Sequence, residues 1–360
     1  MPKQCLHQYG CTTTIALPIQ SKTVSVVVVT HNPGEYLLRC LESIFRSEYP
    51  FKELIIVDNA SNDGSLEKVR NTFPKVKIIL NRINLGYARA ANIGMKTASG
   101  TFVVLINPDT IVEKTWLTKL VKAAERHPRS AFFQPKIMLL NKPGYINSAG
   151  NMIHIGGFGI CRGLEEYDRG QFDSEEEVSF ASGACVLVRS GALREIGVCD
   201  ELFFMYMDDL DWSWRGKMFG WESTYVPSSM IHHEWGKALE VPSEKFYYLE
   251  LGRLIALIKN LTFRSLIVLS PILVFCEVAV IVNAILNKWL PEKIRSYAYL
   301  LELLNEIKKK RRELTARRRV MDRVILKDFV TELKHPYVGV AGIGLGRVCR
   351  TLFRFLWAML

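Results

Sequence analysis

The chain has 360 residues, of which 49% are hydrophobic and 23% are charged, and this composition excludes a disordered protein. The net charge of +11 is concentrated at the end, because residues 288–360 hold 17 Lys and Arg against 7 Asp and Glu. A basic tail of this kind predicts an anionic partner, either nucleic acid or lipid headgroups.

The eight cysteines are scattered and form no CxxC pair, which argues against a zinc site. A chain of this length does not need a disulfide framework, so we interpret the cysteines as reduced thiols of a cytosolic protein. Residues 1–22 contain no apolar segment of signal-peptide length, and we expect them to form a flexible N-terminal extension.

The first part of the chain alternates between strand and helix patterns. A β-branched run at residues 24–29 predicts a strand that is buried on both faces. The patterns that follow are a helix at 35–47, a strand at 53–57, a helix to about 71, a strand at 76–80, a helix at 88–97 and a strand at 101–106. This alternation predicts an α/β domain with a largely parallel sheet.

The later part of this region is less regular. Residues 130–180 predict loops and short strands, residues 190–196 a short helix, and residues 221–227 a strand. The small residues at 182–185, Ser-Gly-Ala-Cys, would let a substrate or another stretch of backbone approach closely.

Polar clusters follow four of the predicted strands, at residues 30–32, 58–59, 84–87 and 107–109. Ligands bind beyond the carboxyl ends of strands in parallel sheets, so these clusters predict a functional site at one sheet edge. The first strand is not followed by GxGxxG, and the chain contains no GxxxxGK[ST], which excludes a dinucleotide fingerprint and a P-loop.

Residues 203–215 place Asp208, Asp209 and Asp211 inside an aromatic and apolar run. Like charges repel and apolar neighbours disfavour ionisation, whereas a helix N-terminus favours anions. The pattern has two interpretations. It is either a helix capped by Asp208 or Asp209, or a carboxylate general base at the mouth of a pocket walled by tryptophans.

Several motifs together resemble the inverting glycosyltransferases of family 2, and in particular the rhamnosyltransferase-like group of surface polysaccharide biosynthesis. The motifs are SVVVVTHN at 25–32, VDNASNDGS at 57–65, NLGYARAANIG at 84–94, LINPDT at 105–110, SGACVLVR at 182–189 and the acidic run at 203–215. The resemblance covers roughly residues 23–290. It implies a GT-A fold, a Rossmann-like layered sheet with helices on both faces. It also implies transfer of rhamnose or another hexose from a nucleotide sugar to a hydroxyl of a glycan or lipid-linked acceptor.

The resemblance implies a role for each matching position. The implied donor-binding residues are Thr30, Asn32, Asp58, Asn84, Gly86 and Asn107. Asp209 matches the catalytic base, with Asp208 and Asp211 as supporting acids, and Trp212, Trp214 and Trp235 either stack on sugar rings or belong to the core.

The implied metal site holds Mg²⁺ or Mn²⁺ on the donor diphosphate through Asp109 and His232, and the reverse assignment to His233 stays open. The chain departs from the family's Asp-x-Asp triplet, because it has Asn107-Pro108-Asp109. Only one carboxylate then reaches the metal directly, so we expect the free enzyme to bind the ion weakly.

Residues 265–286 are apolar except for Glu277 and are long enough to span a membrane. Basic residues flank both ends and Pro271 interrupts the run, so we expect a re-entrant hairpin or an interfacial helix pair on the cytoplasmic face. A buried helix or a dimer contact is the alternative. Basic helices at 291–330 and an aromatic terminus at 352–360 favour a membrane surface with anionic lipid. Nucleic acid is not expected, because the basic run is not interleaved with stacking aromatics.

The predicted organisation is an extension at 1–22, a catalytic domain at 23–245, an apolar membrane-associated segment at 246–290 and a basic helical tail at 291–360. Two other functions remain open. A sugar nucleotidyltransferase would need a basic, glycine-rich loop after the first strand, where the chain has Thr-His-Asn-Pro-Gly. A catalytically silent membrane-bound scaffold is disfavoured by the intact Asp109, Asp209 and His232.

Overall fold

The structure is a computed structural model that describes residues 22–236, 241–332 and 341–360, so the predicted N-terminal extension lies almost entirely outside it. The strands are β1 (Val24–Thr30), β2 (Glu53–Asp58), β3 (Lys77–Leu80), β4 (Phe102–Ile106), β5 (Thr110–Val112), β6 (Ser130–Leu139), β7 (Ile146–Ser148), β8 (Asn151–Ile153), β9 (Gly159–Cys161), β10 (Glu176–Glu177), β11 (Cys185–Arg189) and β12 (Glu222–His233).

The helices are α1 (Tyr36–Phe45), α2 (Ser65–Thr72), α3 (Tyr87–Thr97), α4 (Trp116–Arg126), α5 (Ser190–Ile196), α6 (Asp208–Met218), α7 (Pro242–Asn260), α8 (Phe263–Leu286), α9 (Leu290–Arg317), α10 (Asp322–Leu326) and α11 (Ala341–Leu356). A short 3₁₀ helix, Trp357–Met359, follows α11.

The main sheet has the strand order β10-β12-β6-β11-β4-β1-β2-β3, with β5 paired to β12 and β7 paired to β6. Strands β1 to β4 run parallel, β11 runs antiparallel between β4 and β6, and β12 runs parallel to β6. The carboxyl ends of β1, β2, β4, β6 and β12 therefore meet at one edge of the sheet, where β11 begins.

Helices cover both faces of this sheet, as the sequence predicts for a GT-A fold. Val24, Val26 and Val28 of β1 share a core with helices α1, α2 and α4, whereas Val27 and Val29 share a core with α3, α5 and α6. Every residue of β1 is buried, because both faces of a central strand are covered.

The expectation of irregular structure near residue 130 is wrong. Strand β6 is buried along its whole length and lies in the middle of the sheet. Its apolar pattern is interrupted by Gln134, Pro135 and Lys136, so the hydrophobic periodicity of the sequence does not indicate a strand here. Lys136 is tolerated there because its ammonium lies 2.8 and 2.5 Å from two aspartates. Helix α4 is also absent from the predicted elements.

The apolar segment forms one uninterrupted helix, α8, and not the expected pair of helices or re-entrant hairpin. Pro271 lies inside it, and Glu277 is accommodated because it contacts Arg253 and Lys293 at 2.5 and 2.6 Å. Within the described residues, α8 is the one helix that is long and apolar enough to cross a membrane. Helix α7 runs through the predicted boundary between residues 245 and 246, so this boundary does not separate two structural units.

Three buried charges and the half-buried Glu277 tie the C-terminal helices together. Arg253 of α7 contacts Glu250 at 2.7 Å and Glu277 of α8 at 2.5 Å, and Lys293 of α9 contacts both carboxylates at 2.6 Å. Burial raises the pKa of Glu277, but Arg253 and Lys293 outweigh it and bring this pKa down to about 2. The same two cations also lower the pKa of Glu250.

We expect Arg253→Met to lower the free energy of unfolding by about 3–5 kcal/mol at pH 7, because two buried carboxylates lose a cation. A carboxylate with a lowered pKa in the folded state stabilises the fold above its ordinary pKa of about 4.3, and this contribution is lost as the pH falls towards the folded-state pKa. The difference in the free energy of unfolding between wild type and Arg253→Met should therefore become smaller below about pH 4.

Urea unfolding at pH 7, 5 and 3.5 measures this difference. Arg312→Met on α9, where the guanidinium is exposed, is the matched control and should change stability by less than about 0.5 kcal/mol. An equal loss at pH 7 and pH 3.5 would contradict the role assigned to the ionised carboxylates.

Candidate active site

Three of the predicted donor-binding residues lie together where β1 and β2 end. Thr30 and Asp58 are register partners, and both side chains are buried. Asp58 accepts hydrogen bonds from the Ser61 backbone N–H (3.0 Å) and hydroxyl (2.5 Å), and the Asn32 side chain accepts one from the Asn62 N–H (2.8 Å). The Thr30 hydroxyl is buried without a hydrogen-bond partner, so this cluster holds an unused polar group.

Asn84 and Gly86 shape the turn before α3. The Asn84 side chain accepts a hydrogen bond from the Gly86 N–H at 2.9 Å, and Gly86 has a φ of +81°. A Cβ at Gly86 would lie 2.4 Å from the carbonyl oxygen of Phe204, which itself accepts a hydrogen bond from the Tyr87 N–H at 2.7 Å. Glycine is therefore required for this turn to meet the loop before α6, and a role beside the donor stays a prediction.

Asp109 and His233 form a pair at the ends of β4 and β12. The His233 Nε2 lies 3.3 Å from the Asp109 Oδ1, and this buried carboxylate oxygen has no hydrogen-bond partner. The His233 Nδ1 is hydrogen-bonded to the Asn147 side-chain oxygen at 2.9 Å, which fixes the ring with its Nε2 on the side of Asp109.

This pair fits a divalent cation that is shared with the donor. An orphaned carboxylate oxygen and an oriented imidazole nitrogen are suitable ligands for Mn²⁺ or Mg²⁺. The described residues contain no group of three or more His, Cys, Asp or Glu that could hold a metal, so the remaining ligands would be phosphate oxygens and water.

The structure does not bring His232 to Asp109. Neighbouring side chains of a strand point to opposite sides, so His232 points away from Asp109. Its Nε2 lies 3.7 Å from Glu113 instead. The geometry thus favours His233, the assignment that the sequence leaves open. Between Val226 and Met230, β12 carries three residues that have no register partner on β6.

Helix α6 begins at Asp208, and its N-cap is Met207, so neither aspartate is the cap that the sequence suggests. Tyr206 and Met207 both have left-handed backbone, with φ of 60° and 64°. Two such residues in succession are costly for non-glycine side chains, at about 1–3 kcal/mol each. They turn the chain so that the carboxylates enter the first turn of α6, where free N–H groups favour anions.

The three carboxylates of α6 have different surroundings. Asp209 lines a pocket and accepts hydrogen bonds from the N–H groups of Gly183 and Leu210, both at 2.8 Å. Asp208 is buried, and burial together with the Asp209 charge raises its pKa to about 8. Asp211 is fully buried between Arg215 and Lys259, both at 2.8 Å.

These surroundings divide the roles of the acids. Burial and the neighbouring charge favour the protonated form of Asp208, whereas two backbone N–H groups stabilise the charged form of Asp209. Burial still raises the pKa of Asp209, which suits a general base. Asp211 faces away from the pocket and anchors α6 to α7 through Lys259.

The pocket beside Asp209 has a volume of about 260 Å³ and is mostly apolar. Trp235 lines it, but Trp212 and Trp214 do not wall it, because both are buried and Trp212 donates to the Gly197 carbonyl at 2.8 Å. Sequence reasoning missed four further lining residues, Tyr87, Asn147, Asn151 and Lys245. Tyr87 lies inside a recognised motif, whereas nothing in the local sequence marks the other three.

Solved structures define the class of fold. The crystal structure of GalNAc-T7 with UDP, GalNAc and Mn²⁺ superposes with a TM-score of 0.53 at 17% identity, over 67% of this chain and 48% of that chain. S. aureus TarS gives a TM-score of 0.50 at 16% identity, over 93% of this chain and 54% of that chain. The chain thus spans about half of either neighbour, and the likeness shows the GT-A fold of glycosyltransferases.

The sequence comparisons are more specific. The family model for glycosyl transferase family 2 matches residues 25–197. The N-acetylglucosaminyl-diphospho-decaprenol L-rhamnosyltransferase of Mycobacterium tuberculosis is 32% identical over 232 residues, which cover 58% of this chain and 75% of that protein. The poly-beta-1,6-N-acetyl-D-glucosamine synthase of Staphylococcus epidermidis is 23% identical over 214 residues, covering 59% and 50%.

The chain belongs to glycosyl transferase family 2. It is a glycosyltransferase that takes its sugar from a nucleotide-sugar donor. The predicted family, fold class and enzyme class are therefore confirmed.

We expect His233→Ala to weaken Mn²⁺ binding in the presence of a nucleoside diphosphate by about tenfold or more, because one protein ligand is lost. His232→Ala, the matched neighbour, should change this affinity by less than about twofold, since its ring faces Glu113. Isothermal titration calorimetry measures both. Equal losses in the two variants would contradict the assignment of His233.

Proposed function

We propose that this enzyme transfers a rhamnosyl or other hexosyl group to a hydroxyl of a lipid-linked saccharide by a single displacement, with Asp209 as the general base. The observation that carries the proposal is the Asp209 carboxyl group, which lines an aromatic-lined pocket and is fixed there by two backbone N–H groups. The M. tuberculosis relative, whose name gives a lipid-diphosphate-linked acceptor, supports the acceptor class.

Asp209 takes the proton of the acceptor hydroxyl, and the oxygen then forms a bond to the anomeric carbon while the bond to the nucleotide diphosphate breaks. Each carboxylate oxygen accepts one backbone hydrogen bond, so one lone pair on each stays available for the proton. The protonated Asp208 beside it adds no second negative charge. One base on one face of the sugar leads to inversion of the anomeric configuration.

The donor lies along the sheet edge. Thr30, Asn32 and Asp58 hold the nucleotide, with Asn107 between this cluster and Asp209. When bound by Asp109 and His233, a divalent ion supplies positive charge for the departing diphosphate.

We expect Asp209→Asn to lower the transfer rate by about 10²–10⁴-fold while the affinity for the nucleotide sugar stays within about threefold, since the amide cannot accept the proton. Asp208→Asn should cost less than about tenfold, because Asp208 already carries a proton at neutral pH. Single-turnover transfer from a labelled nucleotide sugar, with nucleotide binding measured in parallel, tests both variants. Near-normal transfer by Asp209→Asn would contradict the base assignment.

The proposed acceptor requires contact with a membrane, and α8 has a suitable face. Leu269, Ile272, Cys276, Val280 and Ala284 pack into the core that also contains residues of α6 and α7. The opposite face exposes apolar side chains at helical spacing, namely Phe263, Ile267, Val274, Val278, Val282 and Ile285.

Helix α8 packs against the rest of the protein along its length, and its one acid, Glu277, forms ion pairs with Arg253 and Lys293. Both features support a helix that lies at the membrane interface better than one that crosses the membrane. The basic helix α9 would lie next to anionic headgroups. We propose that the enzyme works at the cytoplasmic face of the membrane, where nucleotide sugars are available.

We expect Val274→Glu with Val278→Glu to weaken binding to vesicles of anionic and neutral phospholipid by about tenfold or more, because two inserted apolar side chains become charged. Asn305→Glu with Thr315→Glu makes the same change in net charge at exposed positions of α9 and should weaken binding less. Vesicle flotation compares the two variants. Equal weakening would show that charge alone holds the protein to the membrane.

A further inference from the structure

The pocket beside Asp209 contains an ammonium group that has no carboxylate partner among the described residues. Lys245 lies in the first turn of α7 and lines this pocket together with Asp209, Cys161 and Trp235. Its Nζ lies 4.9 Å from the centroid of the Trp235 ring and 5.6 Å from that of the Tyr206 ring. These ring faces attract a cation but do not neutralise it.

The other buried lysines are arranged differently. Lys136, Lys259 and Lys293 are buried in the described part of the chain, and each contacts two carboxylates at 2.5–2.8 Å. Each of these three buried ammonium groups is thus neutralised twice, whereas the half-buried Lys245 has no carboxylate pair within the described residues.

The position of Lys245 is also unfavourable for a cation without an anionic partner. A helix N-terminus carries partial positive charge, and the cap residue Val241 offers no side-chain hydrogen bond there. Burial lowers the pKa of Lys245, which shows that its charge is poorly solvated. The carboxylates in the same pocket are otherwise engaged, because Asp209 accepts two backbone bonds and Asp208 is buried beside it.

Resting on the proposed function, we propose that Lys245 binds a phosphate oxygen of a phosphate-linked acceptor and thereby selects lipid phosphate saccharides over neutral ones. Lys245 faces Cys161 and Tyr206, whereas the donor cluster of Thr30 and Asp58 belongs to β1 and β2. Helix α7, which carries Lys245, packs beside α8 through the Arg253–Glu277 contact at 2.5 Å, and α8 exposes the apolar face that would receive the lipid chain of the acceptor.

The test compares full-length wild type with Lys245→Gln and Lys245→Arg. Lys309→Gln, on the exposed face of the basic helix α9, is a control that removes the same charge away from the pocket. Binding of farnesyl diphosphate, followed by tryptophan fluorescence, is measured first because it needs no turnover. Lys245→Gln should weaken it on the order of tenfold to a hundredfold, and Lys245→Arg should restore most of the loss.

Transfer is then measured with two acceptors that carry the same sugar, one linked to farnesyl diphosphate and one an octyl glycoside. Lys245→Gln should raise KM for the diphosphate acceptor by a similar factor with little change in kcat, and should leave the octyl glycoside unaffected. Unchanged farnesyl diphosphate binding in Lys245→Gln would overturn the proposal. So would an equal rise in KM for the nucleotide sugar with both acceptors, since Lys245 would then bind the donor diphosphate.

The two proposals fail separately. If wild type transfers sugar to neither acceptor, the proposed acceptor class is wrong, and the binding comparison still decides whether Lys245 recognises a lipid phosphate.

Discussion

Three carboxylates within four residues of one helix cannot all be ionised and unpaired, and the active site depends on how the fold resolves this conflict. Asp208 is protonated, Asp209 is stabilised by backbone N–H groups, and Asp211 is neutralised by Arg215 and Lys259. Asp209 is the one of the three that both lines the pocket and has its charged form stabilised by hydrogen bonds. The neighbours of the proposed base thus decide which member of the acidic run is suited to the chemistry.

The proposed base and the proposed donor cluster are connected through a short series of contacts. The Asn59 side chain donates to the Gly86 carbonyl at 3.1 Å, and the next residue, Tyr87, donates its hydroxyl to the Gly183 carbonyl at 3.1 Å. Gly183 in turn donates its N–H to Asp209. Loops after β2 and β3 and the start of β11 therefore hold one another, so the distance between donor and base does not depend on a single flexible loop.

Much of the fold and part of the site follow from the sequence, because they depend on local patterns. The β-branched run of β1 and the polar residues after the strands indicate a layered sheet with polar clusters at one edge, and the structure has both. Strand β6 could not be predicted from the sequence, since its buried Lys136 is stabilised by acids more than 30 residues away along the chain. Pocket residues such as Asn147 and Lys245 are likewise brought to Asp209 by tertiary packing, which no local pattern records.

Which of the two histidines lies beside Asp109 depends on the pairing register of β12 with β6. Three unmatched residues separate Val226 from Met230, and side chains of a strand alternate with a period of two. An odd insertion reverses which side every later residue faces. His233 therefore owes its place to the register that resumes after this bulge, in which His232 lies opposite Met138 and His233 opposite Leu139. A slip of this pairing by one residue would turn His232 towards Asp109 instead, without any change to either histidine.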